Sequence, residues 1–129
     1  MVRNTDPLYH TDAKHISIDA AALTGVGESG VVLISAVTDK RLQIASYHLS
    51  TTKLLTGSFT SNTGVSAANL SGPIVFAADS RVSADWSPYG HMSTTAGEHF
   101  AILMTGIHNT GSPNDSPGRI AGHITYFEL

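Results

Sequence analysis

The stretch VVLISAVTDKRLQIASYHLS, residues 31–50, decides the fold. Its Val31, Val32, Ile34, Val37 and Ile44 are β-branched, side chains that lose little freedom in a strand and are mildly disfavoured in a helix. With Gly30 the first part reads GVVLISAV, a nearly continuous apolar run of the kind shown by a strand covered on both faces. In RLQIASYHLS, Leu42 and Ile44 share one face while Tyr47 and Leu49 share the other; a β-bulge near Ala45 or Ser46 brings both pairs to the same side. The strand reading also disposes of a motif just upstream. Gly25, Gly27 and Gly30 spell G-x-G-x-x-G, the loop that cradles dinucleotide phosphates. That fingerprint works only where a helix N-terminus follows and an acid for the ribose comes about 20 residues later. Here sheet follows, and ASYHLS, residues 45–50, holds no carboxylate. The glycines read as a link, and no cofactor is expected.

Working outward, the same pattern recurs. KHISIDA sets Ile16, Ile18 and Ala20 against His15, Ser17 and Asp19, a period of two. LLTGSFT and PIVFAA are short strand candidates separated by the loop SNTGVSAANLSG, and RVSADW runs into the turn SPYG. EHFAILMTGI presents Phe100, Ile102 and Met104 on one face. After the turn-rich HNTGSPNDSPG, RIAGHITYFEL sets Ile120, Ile124 and Tyr126 against Arg119, His123 and Thr125. A turn at DAAALT, residues 19–24, is the only helical hint. The expectation is an all-β fold: a jelly-roll-like antiparallel β-sandwich of about eight strands with an extended N-terminal arm. The sandwich is expected over residues 30–129, with Val32, Ile34, Leu42, Ile44, Ile74, Phe76, Phe100, Ile102, Ile120, Ile124 and Tyr126 in its core. Residues 1–29 read as the arm and its Gly-rich link, separable from the sandwich. Pro7, Leu8, Tyr9, Ile16 and Ile18 are its candidate assembly contacts, and HISID is long enough to add to a sheet edge, its own or a neighbour's.

Composition narrows the function. A chain of 129 residues fits one domain. Charged residues make up 13% and the net charge is −3, with the seven basic residues scattered, so the clustered cations that bind nucleic acid are missing. No apolar run approaches the roughly 20 residues that span a bilayer. MVRNTDPLYH lacks the apolar centre of a signal peptide, which points to synthesis in a cytoplasm and no membrane partner. Without cysteine there is neither disulfide nor thiolate chemistry. Seven histidines invite a metal reading, but a cupin-type site wants H-x-H followed by Glu and a later His, and GHMSTTAGEH offers only His91, Glu98 and His99. No metal is expected. His15 and His123 alternate with apolar residues and belong on outer faces or in subunit contacts. GESG lacks the spacing of a serine-nucleophile elbow. Asp79, Asp85 and Glu98 could supply a glycosidase pair, yet Asp39, Asp79 and Asp115 stand in turn contexts where Asp bonds its own backbone. The chain reads as a non-enzyme.

The stretch LSGPIVFAADSRVSADWSPYGHMSTTAGEHFAI, joined to IAGHITYFEL, resembles small virion proteins encoded among the head genes of tailed bacteriophages. The resemblance rests on Gly72–Pro73, Ala77 and Ala78, Ser87–Pro88–Tyr89–Gly90, Thr95–Ala96–Gly97–Glu98, and Tyr126 with Glu128. It covers roughly residues 30–129, and His91 and Met92 stand where those proteins carry two aromatics. It implies a capsid-decorating or cement protein, a homotrimer bound to the major capsid protein on the outer surface of the virion, made in the host cytoplasm and catalysing nothing. The alternative is a carbohydrate-binding jelly-roll module on a virion or tail surface, with Trp86 and Tyr89 as its aromatic platform.

Overall fold

The computed structural model describes residues 13–23, 30–64, 67–87, 89–107 and 118–129. They form ten strands and no helix: β1 (Lys14–Leu23), β2 (Gly30–Ile34), β3 (Leu42–Thr51), β4 (Leu55–Ser61), β5 (Ala68–Asn69), β6 (Ile74–Phe76), β7 (Arg81–Ala84), β8 (Met92–Ser93), β9 (Phe100–Ile107) and β10 (Gly118–Glu128). The strands make two antiparallel sheets. The first has the order β1-β10-β3-β7, with β8 also on β3; the second has β2-β9-β4-β5, with β6 also on β4.

The period-two pattern of each strand puts its large apolar residues on one face, and the two faces enclose a β-sandwich core. Leu42, Ile44, Leu49, Ile120 and Ile124 come from the first sheet; Leu55, Phe59, Phe76, Phe100, Ile102 and Met104 come from the second, all fully buried. Phe59 stands at the centre. It stacks on Phe100 at 5.2 Å and meets the edges of Tyr47 and Phe76 at 5.2 and 6.4 Å.

The bulge in β3 lies where the alternation breaks. Thr125 of β10 faces Ser46 and Tyr126 faces Ile44, so Ala45 is the extra residue, and both Ile44 and Leu49 reach the core. Another bulge corrects the expected core. Ala101 of β9 faces Val32 but Phe100 faces Ile34, leaving Leu33 as the extra residue. The shift turns Leu33 and Ile34 inward together and Val32 outward, at 40% exposure. Ile74, on the short strand β6, is only half-buried against the core.

Residues 19–23 of DAAALT form no turn: β1 runs through them to Leu23, with a bulge between Ile18 and Ala21. β1 pairs with β10 of the same chain from Lys14↔Tyr126 to Leu23↔Gly118, and the first sheet therefore reaches across the sequence boundary drawn at residue 29. Ile18 is 8% exposed and belongs to the core. Removing residues 1–29 would take away this strand and open the core at Ile18. The link at residues 24–29 lies outside the described residues.

Candidate functional site

The outer face of the first sheet carries two cross-strand rows of unlike character. One runs Ser17–His123–His48–Ser83 over β1, β10, β3 and β7; beside it runs Ala121–Ser50–Arg81. Side chains directly opposite on antiparallel strands stand about 5 Å apart, and the His48 and His123 rings do so, with centroids 5.0 Å apart and planes tilted by 46°. Ala121 and Ser50 are short. The rings on one side and Arg81 on the other therefore rise around them as the walls of a pocket of about 260 Å³.

Gly122 lies between the two rows. Its φ is +143°, and a Cβ built on it would run into the His48 carbonyl oxygen. Glycine alone lets β10 approach β3 this closely, because it tolerates positive φ and adds no atom at the contact. The His48 ring is half-buried. Its Nδ1 is buried with no hydrogen-bond partner, the one such side-chain atom among the described residues. His15, further along the face, is held at 2.9 Å between its Nδ1 and Thr125 Oγ1.

Several other polar groups are tied into the scaffold. Ser61 Oγ donates to Glu98 Oε1 at 2.7 Å and accepts from the Thr95 N–H at 3.0 Å, which fixes the approach to β9 against the end of β4. The His99 Nδ1 accepts the Ala36 N–H at 2.8 Å, and its carbonyl accepts the Asn62 N–H at 2.7 Å. His91 donates from Nε2 to the Asp85 carbonyl at 2.7 Å. His91, Glu98 and His99 thus each have separate work, and no group of three or more metal-ligating side chains occurs among the described residues. Asp39 and Asp79 sit at φ +61°, the turn geometry that Asp tolerates; Asp115 lies outside the described residues. Burial holds the Tyr47 hydroxyl above its ordinary pKa; burial and then the Glu128 carboxylate do the same to Tyr126.

The assembly contacts read from sequence divide. Pro7, Leu8 and Tyr9 lie outside the described residues. Ile16 and Ile18 face inward and pack on the core of their own chain, so whatever β1 offers a neighbour is its backbone edge and its outer face. Trp86 and Tyr89 follow β7 in one loop. Trp86 is 44% exposed and meets Phe127 edge-on at 5.7 Å, while Tyr89 is 78% exposed.

The pocket between His48, His123 and Arg81 was not visible in the sequence. The alternation puts His48 and Ser50 on one face of β3 and His123 on the outer face of β10, but only the register sets them side by side. In comparisons with known proteins, no family model, no curated protein and no solved structure matches the chain.

Proposed function

We propose that the chain is a structural virion protein: a decoration protein that seats on the outer surface of a tailed-phage head as a homotrimer and stabilises the shell. The supporting observation is the open edge of the first sheet. β1 is hydrogen-bonded to β10 on one side, and among the described residues no strand covers its other side. An uncovered ten-residue strand is a template for another chain, and the polypeptide enters it from the segment containing Pro7, Leu8 and Tyr9. In this reading those three anchor on a neighbouring subunit or on the major capsid protein, while β1 stays in its own sheet.

The strand order supports the jelly-roll part of the reading. With β5 and β6 taken as one strand along β4, and β7 and β8 as one along β3, eight strands remain, four to each sheet. Such double sheets serve viral capsids, lectins and cupins alike. The fold is therefore neutral about function, and the resemblance of residues 30–129 to phage head proteins selects among these uses. A second reading, a glycan-binding module, draws on the exposure of Tyr89 and Trp86.

Sedimentation of the purified protein and cryo-electron microscopy of the virion of the phage that encodes it test the proposal. A trimer in solution and matching density over the shell are expected. A strict monomer at high concentration argues against the trimer, and a virion lacking the protein removes the decoration role. Glycan-array binding abolished by Trp86→Ala in a folded protein would favour the second reading.

A further inference from the structure

The geometry points to a binding site for a small oxyanion, a phosphate or carboxylate group, in the pocket between His48, His123 and Arg81 on the outer face of the first sheet. This inference is independent of the assembly proposal.

Three features of the pocket set the chemistry. Its polar groups are donors or can become donors: the Arg81 guanidinium, the Ser50 hydroxyl and two imidazoles, and no lining residue carries a carboxylate. The Arg81 side chain is exposed and has no ion pair or hydrogen bond to another described residue. A guanidinium fork of this kind matches two oxygens of a carboxylate or phosphate. The volume of about 260 Å³ is just below the range of ordinary small-molecule sites, which suits an oxyanion with part of the group that bears it.

Arg81 decides between an anion and a metal. Two histidines across a strand pair would otherwise suggest a divalent transition metal, but the guanidinium that shares their pocket repels any cation and attracts any anion. The buried Nδ1 of His48 finds no partner among the described residues. His123 is exposed and free to orient its ring toward the same ligand.

The test is nuclear magnetic resonance on the full chain, following the histidine imidazole and arginine side-chain signals as inorganic phosphate is added at constant ionic strength. Saturable shifts of His48, His123 and Arg81 are expected, with His91 and His99 still. Arg81→Gln, at an exposed position, should weaken binding about tenfold, and His123→Gln should weaken it less. A parallel titration with acetate separates the two sources of oxyanion: a response to either supports the site, and the tighter one identifies the group. The inference fails if neither anion gives a saturable shift, if phosphate binds Arg81→Gln as it binds the parent, or if zinc saturates the pair while both anions leave it unmoved.

Discussion

Of the described glycines, Gly122 is the one where an added Cβ would meet backbone most closely. A methyl group there meets the His48 carbonyl at a distance no packing adjustment removes, and the positive φ is closed to other residues at low cost. Gly122→Ala should lower stability by more than about 3 kcal/mol in chemical denaturation; a loss below 1 kcal/mol would mean that β10 can retreat from β3. Two tyrosines, Tyr126 buried and Tyr47 half-buried, make a second prediction. For Tyr47 and Tyr126 the folded state holds the proton more tightly than the unfolded chain, whose tyrosines ionise near pH 10. Above that pH the unfolded state binds fewer protons, so stability is complete below about pH 10 and falls as pH rises toward the elevated folded values. Ultraviolet titration should show part of the tyrosine ionising late, and Tyr47→Phe should shrink that late phase. A single ordinary transition with no alkaline loss of stability would contradict the burial.

At the scale of the element, β1 belongs to the sheet by its packing. Ile18→Ala should cost about 2–4 kcal/mol, against little change for deletion of residues 1–12, which end before the strand. Thermal melts of the two variants decide this, and equal melting temperatures would detach β1 from the core. The same strand shows what sequence can and cannot disclose. Its alternation of Ile16 and Ile18 with His15 and Ser17 announced a one-sided strand, while its choice of its own β10 over a neighbour's edge is a tertiary contact that leaves no local trace. In β3 the bulge was legible because two apolar pairs sat out of phase, and Ala45 was the residue to absorb the difference. In β2 every residue from Val31 to Ile34 is apolar, so the run has no phase to break, and the shift at Leu33 that expels Val32 was hidden. The pocket was hidden for a related reason: each histidine marks a face, and the partner opposite it comes from a strand about 75 residues away.

At the scale of the whole molecule, the edge of β1 that no described strand covers and the segment before it make one further prediction. If the arm assembles subunits, deletion of residues 1–12 should leave the circular dichroism of the sandwich intact while shifting sedimentation toward monomer or weakening attachment to heads. A deletion variant that assembles and decorates with unchanged affinity would remove the segment from the mechanism. The placement of β10 between β1 and β3 has a consequence for the way the chain is made. Of the ten strands the ribosome releases β1 first and β10 last, so the middle of the first sheet is supplied only after every other strand has been made. Until then β1 and β3 have no common neighbour, β1 and the β10-facing edge of β3 wait uncovered, and the nascent chain is exposed to chaperones and to aggregation. Protease resistance should therefore arrive in one late step, as residues 118–129 clear the ribosome. Arrested chains that stop before Gly118 should remain digestible, however much of the second sheet they already contain.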